Sequence, residues 1–252
     1  MDLRDKVALV TGGGTGLGRT ISLKLARACA DVALCYTKSA AEAEATIGEV
    51  RALGRQALAI RADVASSADV ERMVGEVAAA FGRIDVLVND AGYTVFVDFK
   101  RLDDISEETW DRIMAVNVKG LWLSSRAVVP AMQQRKQGSV VNISSNMAFN
   151  GGLTMMHYVT SKAAVVGFSR VLARELGPDN IRVNTLAPGA TMSEEKATES
   201  ALKNYERSAS TRILKRIEQP EDLVGTALYL LSDLSTFVTG QTILVNGGAV
   251  LH

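Results

Sequence analysis

Near the start of the chain a short apolar run, Lys6-Val-Ala-Leu-Val10, opens directly into Thr11-Gly-Gly-Gly-Thr-Gly-Leu-Gly18, and a helical pattern follows to about Ala30. Strand, glycine cluster, helix is an order with a physical meaning. The glycines stand where the backbone must turn tightly, and the first N–H groups of the helix point back at whatever lies in the turn, for which phosphate is the natural guest. The spacing Gly12, Gly16, Gly18 is not the G-x-G-x-x-G of the common dinucleotide fingerprint, so a purely structural turn stays open as the alternative. The unit then repeats: a strand at about Asp31 to Tyr36, a helix from about Ala40 to Leu53, a strand at Gln56 to Arg61 and a helix from Ser67 to Phe81. A buried strand at Ile84 to Asn89 precedes a long helical region from Ser106 to about Arg135 and a strand at Ser139 to Ser144. A helix from about Met155 to Leu176 stops at Gly177-Pro178, followed by a strand at Ile181 to Leu186, a last helix at about Pro220 to Ser232 and a strand at Thr242 to Val245. Apolar strands alternating with amphipathic helices predict an α/β fold, a doubly wound parallel sheet of about seven strands with helices on both faces. Thr191 to Ser210 is polar and breaks the pattern; it reads as an insertion of short mobile helices.

The 252 residues suffice for one continuous α/β unit with an ample core, so residues 1–252 are expected to form a single domain. Lys plus Arg and Asp plus Glu both total 28, with no block of like charge, which argues against nucleic acid or an anionic membrane as partner. No apolar run approaches the roughly 18 residues of a spanning helix, and Met-Asp-Leu-Arg-Asp-Lys leads straight into a strand pattern with no visible signal peptide. Cys29 and Cys35, on a predicted helix and strand, read as reduced packing residues of a cytoplasmic protein. With only His157 and His252, neither a histidine triad nor a zinc cluster can be built, and no metal site is expected.

The second strand ends Leu34-Cys35-Tyr36-Thr37-Lys38-Ser39, where an NAD site would carry a ribose-binding carboxylate. None is present. Thr37 and Ser39 offer hydroxyl donors and Lys38 a cation, so NADP(H) is preferred, with NAD(H) as the alternative and a solvated loop lysine as the plain reading of Lys38. Further on, Tyr158 and Lys162 stand four residues apart, on one face of the predicted helix. An unperturbed phenol, with a pKa of about 10, exchanges protons poorly at neutral pH, and a nearby ammonium would bring it into range. Such pairs also arise by chance on many helices.

Over essentially its whole length the chain resembles the short-chain dehydrogenase/reductase family, nearest in general pattern to the branch of 3-oxoacyl-[acyl-carrier-protein] reductases. Thr11-Gly-x-x-x-Gly16-x-Gly18 resembles the family's cofactor loop, which implies cofactor contacts from Gly12, Gly14, Thr15, Gly16, Leu17 and Gly18 and, after the second strand, from Tyr36, Thr37, Lys38 and Ser39. Asp63-Val64 resembles its adenine-binding acidic position, and Asn89-Asp-Ala-Gly92 its Asn-Asn-Ala-Gly turn, with Asp90 as a departure that can accept but not donate hydrogen bonds. Asn117 matches its helix asparagine, and Ser145 with Tyr158-x-x-x-Lys162 its catalytic set. Pro188-Gly189, Thr191 and Ser193 match the turn beside the nicotinamide, where Thr191 and Ser193 contact its carboxamide in the family, and Gly240 to Gly248 the C-terminal strand and loop. Adjacent strand residues face opposite ways, so only one of Ser144 and Ser145 can face the tyrosine; the family's spacing of thirteen residues selects Ser145.

The resemblance implies a Rossmann-like sheet with the cofactor across the strand ends, Tyr158 as proton donor to a carbonyl oxygen, Ser145 bonded to the same oxygen, Lys162 lowering the tyrosine pKa while binding the ribose, and Asn117 holding a water that links Lys162 to solvent. It implies a small carbonyl or alcohol substrate and a homotetramer packed through the two long helices. Residues 190–216 would form most of a mobile lid, whose Glu194, Glu195, Lys196, Lys203, Arg207, Arg212, Lys215 and Arg216 mix both signs without an anion clamp. Phe96, Met147, Phe149, Met155 and Met192 are pocket candidates or core filler in equal measure; Met156 reads as core filler, and His157 has no catalytic role. The competing readings are a non-catalytic nucleotide-sensing or scaffold protein, an NAD-dependent alcohol or sugar dehydrogenase, and an epimerase or dehydratase, whose relatives carry a longer C-terminal substrate domain.

Overall fold

In the computed structural model, which describes residues 1–95, 104–152, 154–193 and 198–251, the apolar runs become strands β1 (Val7–Thr11), β2 (Asp31–Tyr36), β3 (Ala57–Arg61), β4 (Val86–Asn89), β5 (Gly138–Ile143), β6 (Ile181–Pro188) and β7 (Thr242–Val245). The helices between them are α1 (Gly16–Arg27), α2 (Ala40–Ala52), α3 (Ser67–Phe81), α4 (Glu107–Met114), α5 (Gly120–Arg135), the short α6 (Met147–Asn150), α7 (Met156–Leu176), α8 (Glu199–Thr211) and α9 (Glu221–Leu231). The strands form one parallel sheet in the order β3-β2-β1-β4-β5-β6-β7. β1 therefore lies between β2 and β4. The chain winds outward from it first one way and then the other, so the loops leaving β1 and β4 diverge and open a crevice at their carboxyl ends.

Each strand is apolar on both sides because helices cover both faces. In β1, Ala8 and Val10 meet Ile21 and Leu25 of α1, Ile47 and Val50 of α2 and Leu223 and Leu228 of α9. Val7 and Leu9 point the other way into a second core with Val70 and Met73 of α3, Leu123 and Val128 of α5 and Leu176 of α7. That is the period-two consequence of a strand with two buried faces. Fully burying each such large aliphatic side chain is worth about 1.5–3 kcal/mol. Among the described residues no helix is long and apolar enough to cross a membrane, and no three metal-binding side chains cluster.

Three expectations are corrected. The region from Ser106 to Arg135 is one helical rod but not a regular one, because a π-helical turn, Ala115–Lys119, joins α4 to α5. Among its described residues the polar stretch after Thr191 carries one 13-residue helix, α8, rather than several short ones. Its first turn is capped by the Thr198 hydroxyl, which accepts from the Ala201 N–H at 3.3 Å, and braced by a Glu199–Lys203 pair at 2.7 Å. Cys29, expected on a helix, lies just beyond one. Cys29 N–H bonds Ala26 O and Ala30 N–H bonds Leu25 O, a Schellman closure that places Cys29 at φ +73° where glycine is usual. Cys35 is buried in β2, and burial pushes its thiol up to about 11, so it is an inert packing residue.

Candidate active site

The crevice is a cleft of about 420 Å3 at the carboxyl ends of the strands. One wall is the glycine loop, with Gly12, Gly14, Thr15, Gly16 and Leu17 on its surface. Gly12 has φ +71°, and a Cβ there would stand 3.0 Å from Ala91 Cα, so the loop and the turn after β4 approach each other through a missing side chain. Thr11 fixes that approach, its hydroxyl oxygen accepting from the Asp90 and Ala91 N–H groups at 3.2 and 3.1 Å. The first turn of α1 carries no acidic side chain and Thr15 makes no side-chain cap, so the amides at that helix start face the cleft as an anion site. Tyr36, Thr37 and Ser39 line the cleft beyond β2, Asp63 and Val64 beyond β3, Ala91 and Gly92 beyond β4, and Thr191 and Ser193 beyond β6. A long cleft with bare helix amides in the middle and hydroxyls at the β2 end fits a dinucleotide.

Several expected cofactor residues sit behind this surface. Lys38 is exposed and outside the lining. Asn89 is buried, its amide donating to Asn142 Oδ1 at 2.9 Å, while Asn142 donates to Ser169 at 2.8 Å; this chain ties β4 to β5 and α7. Gly18 and Pro188 also lie behind the lining, and the Gly189 N–H is bonded to Glu218. A residue the sequence reading missed is Arg112 of α4, whose guanidinium reaches Asp63 Oδ2 through both terminal nitrogens at 3.2 Å and stands 5.9 Å over the Tyr93 ring. It turns the carboxylate of Asp63 into half of an ion pair on the cleft wall. The partners are 49 residues apart, so no local spacing announces them.

The proton-handling side chains meet the cleft at Gly92. A Cβ on Gly92 would lie 3.6 Å from Lys162 Nζ and 3.8 Å from Asn117 Oδ1. Tyr158 and Lys162 share one face of α7, with Nζ 5.8 Å from the phenol ring centre and donating to Ile143 O at 2.9 Å. Ser145 hydrogen-bonds the phenol, whereas the Ser144 hydroxyl turns back to donate to Lys162 O at 2.7 Å. Asn117 lies in the π-turn, buried. Its carbonyl oxygen accepts from the Tyr93 N–H at 2.7 Å, and its amide donates to Tyr93 O at 3.0 Å and to Ser161 at 2.9 Å. The wider turn aims this side chain between the loop after β4 and α7, a common use of a π-bulge.

Burial dominates the electrostatics. It pulls Lys162 down to about 8, with the Asp90 carboxylate pulling the other way. It pushes Asp90 up to about 6, against the attraction of Lys162 and the Gly18 N–H. Tyr158 is raised above its ordinary value, first by burial and then by Asp90, with the Ser145 hydrogen bond lowering it. The expectation that Lys162 draws the phenol down is thus corrected: an ammonium weakened by burial does not offset the desolvation of the phenolate. The result is a phenol that keeps its proton at neutral pH.

Of the pocket candidates, Met147 and Phe149 lie on α6 between Ser145 and Tyr158, both partly buried, with Met147 folded over Gly152. Met155 is 7% exposed and belongs to the core, and Met192 is partly buried beside Thr191. Phe96 lies outside the described residues, as do Glu194, Glu195 and Lys196. Met156, expected in the core, is 48% exposed and lines a recess of about 300 Å3 with Ile105 and Trp110. The expectation fails because α7 buries the neighbouring face. His157 is buried, bonded to the backbone at Val95, and its pKa is lowered by burial, so a neutral imidazole anchors the loop after β4. Arg212, expected as a lid charge, is 1% exposed and paired with Glu218.

A family model described as Enoyl-(Acyl carrier protein) reductase matches residues 12–250. The chain is 38% identical over 245 residues to the 3-oxoacyl-[acyl-carrier-protein] reductase FabG of Staphylococcus epidermidis, covering 97% of this chain and 98% of that one. It is 37% identical over 255 residues to a 2-dehydro-3-deoxy-D-gluconate 5-dehydrogenase of Dickeya dadantii, covering 98% and 96%. Among solved structures it is similar to a short-chain type dehydrogenase/reductase from Mycobacterium marinum, with a TM-score of 0.91 at 33% identity over 99% of this chain and 97% of that one. A putative short-chain alcohol dehydrogenase from Sinorhizobium meliloti gives the same TM-score of 0.91 at 31% identity, over 98% and 97%.

Proposed function

Because the chain belongs to the short-chain dehydrogenase/reductase family, and is an oxidoreductase acting between CH–OH and C=O, we propose that it reduces a ketone with NADP(H), a 3-oxoacyl thioester being the first candidate substrate. The observation that carries this reading is the meeting of Ser145, Tyr158 and Lys162 with the cleft at Gly92. The substrate oxygen accepts hydrogen bonds from the Ser145 and Tyr158 hydroxyls. When bound, the reduced nicotinamide supplies the hydride to the carbonyl carbon. As negative charge gathers on the oxygen, the Tyr158 O–H bond breaks and the proton passes to it, leaving a phenolate beside the Lys162 ammonium. A phenol held above its ordinary pKa suits this direction, because its proton is present at neutral pH. Asn117 and Lys162 border a cavity of about 10 Å3, close to the size of one water, which supports a solvent path for the returning proton.

For the cofactor, the amides of the glycine loop and of the start of α1 would hold the diphosphate, and Asp63 and Val64 would flank the adenine. Ala91, Gly92, Thr191 and Ser193 would frame the nicotinamide end, with Pro188 and Gly189 behind them. No carboxylate stands at the end of β2, where Tyr36, Thr37 and Ser39 line the cleft, so a 2′-phosphate meets hydroxyls rather than a like charge. Lys38, exposed at the same edge, adds a cation. The expected result is a kcat/KM preference of about tenfold or more for NADPH over NADH, the worth of one or two charge-assisted hydrogen bonds. The check is a ketone panel including a 3-oxoacyl thioester and a keto sugar acid, run with both cofactors. Equal or better kinetics with NADH would refute the cofactor reading, and a keto sugar acid outperforming the thioester would move the substrate toward the Dickeya relative.

The segment 190–216, with α8 at its centre, is the proposed lid. For assembly, Trp122 of α5 is 45% exposed with Arg126 stacked at 4.7 Å, and Val171 of α7 is 57% exposed, which supports a homotetramer packed on the α5/α7 face. A light-scattering mass of four chains is expected, and a monomer mass at micromolar concentration would contradict it.

A further inference from the structure

Beneath the turn that leaves β6 lies a buried ion pair that the proton chemistry does not use. Arg212, at the exit of α8, is 1% exposed and Glu218 is 4% exposed, with Nη2 and Oε2 3.7 Å apart. Both hold the same turn. Arg212 donates to Ala190 O at 2.8 Å and to Arg216 O at 3.1 Å, while Glu218 Oε1 accepts from the Gly189 N–H at 2.9 Å and from the Thr191 hydroxyl at 2.6 Å. The Met192 N–H donates to Glu218 O at 2.9 Å. Gly189 completes the fit, because a Cβ there would stand 2.7 Å from Glu218 Oε2 and 3.1 Å from Arg212 Nη2.

We propose that Glu218, braced by Arg212, is a positioning residue that aims the Thr191 hydroxyl to accept, and not to donate, a hydrogen bond on the cleft side, so that the cofactor is selected by the N–H of its carboxamide. The inference rests on the reading that places Thr191 beside the nicotinamide. A hydroxyl has one proton and two lone pairs. Thr191 lines the cleft, yet the acceptors found for its proton, Glu218 Oε1 at 2.6 Å and Gly189 O at 3.4 Å, both lie behind it. Glu218 Oε1 already accepts from a backbone N–H, and the carboxylate faces a guanidinium through Oε2, so Oε1 is the acceptor toward Thr191 as well. What the hydroxyl turns to the cleft is lone pairs. A primary carboxamide can meet them with an N–H; an acyl group carrying only a carbonyl oxygen cannot.

The test compares binding of NADPH with binding of its 3-acetylpyridine analogue, in which the carboxamide is replaced by an acetyl group. Wild type is expected to bind the carboxamide form about five- to tenfold more tightly, the worth of one net hydrogen bond. In the double variant Arg212→Met, Glu218→Met, which removes both buried charges at similar volume and leaves neither unpaired, the Thr191 hydroxyl can rotate to donate and the ratio should fall to about one. Glu218→Gln keeps an acceptor oxygen and should keep the ratio; Thr191→Val should lose it. A merely structural role would lower the melting temperature and both affinities together and leave the ratio untouched, which overturns the proposal. Loss of the ratio in Glu218→Gln as complete as in the double variant overturns it too. Should Thr191→Val lose the ratio while the double variant keeps it, Glu218 has no positioning role although Thr191 stands beside the carboxamide. A wild type that does not discriminate removes both readings at once.

Discussion

Tyr158→Phe is expected to lower kcat for ketone reduction by about a thousandfold, within the 10²–10⁴ range of a positioned general acid, while NADPH affinity changes by less than about threefold. The substitution deletes one oxygen and leaves the ring where α7 holds it. Ser145 remains and still offers a hydrogen bond to the substrate oxygen, but an aliphatic hydroxyl is far too weak an acid to release its proton at neutral pH. Since burial keeps the phenol protonated, wild-type reduction should stay flat with pH through neutrality and begin to fall near pH 8, where Lys162 loses the charge that stabilises the phenolate. Steady-state rates with the best ketone of the panel and a fluorescence titration with NADPH separate the two readouts. A variant retaining more than about a tenth of wild-type turnover would remove Tyr158 from the proton step.

The second large effect concerns stability. Asp90 sits in the cleft with its pKa pushed up to about 6 by burial, against 3.8 for an ordinary aspartate. Below pH 4 both folded and unfolded chains hold the proton and Asp90 costs nothing. Between about pH 4 and 6 the unfolded chain releases it first, so stability falls as pH rises, and above about 6 the whole cost is present. A carboxyl held that far above its ordinary value, with the attraction to Lys162 already included, costs about 3 kcal/mol when ionised; contact with solvent reduces the expected gain in Asp90→Asn to about 1–3 kcal/mol at pH 7.5. For a chain of this size that is a rise of about 3–9 °C in melting temperature, shrinking to nearly nothing at pH 4. Melting curves of both proteins at the two pH values give the answer. A difference that is the same at both, or negative at pH 7.5, contradicts the account. The family turn that Asn89-Asp-Ala-Gly92 resembles has an asparagine at the second position, so this chain retains a carboxylate at a stability cost, next to the two groups whose titration it raises, Lys162 and Tyr158.

What could be read from the sequence was whatever repeats or stands at fixed spacing. The two-faced strands, the glycine turn, α3 with its ends at Ser67 and Phe81, and the Tyr158–Lys162 face all follow from periods of 2 and 3.6. What could not be read depends on packing between distant elements. Arg112 looks like any surface arginine in the last turn of a helix until α4 lands beside Asp63. Arg212 and Glu218 stand in a polar segment whose other described charges are exposed, and nothing in their composition marks them as enclosed. Met156 and Met155 are neighbours of the same residue type, and only the rotation of α7 sends one outward and the other into the core. The π-turn at Asn117 replaces no residue type with another; it changes only the winding, which composition does not record.

That turn has a consequence for the length of the chain rather than its composition. Each residue advances a regular helix by about 100°, so the widened turn sets a phase offset between the two ends of the Glu107–Arg135 rod. Upstream, Arg112 is aimed at Asp63; downstream, Leu123, Val128 and Met132 are aimed into the sheet. Removing one residue between 115 and 119 would let the rod wind regularly with its two ends in nearly their present phase, because a widened turn of five residues rotates about as far as four regular ones. Removing one from a regular part of α4 or α5 would instead rotate one end against the other by about 100°. In that second case either Arg112 leaves Asp63 or the apolar stripe leaves the core. The rod therefore acts as a shaft keyed at both ends, and the π-turn is where the loss of one residue would be absorbed without turning one key against the other.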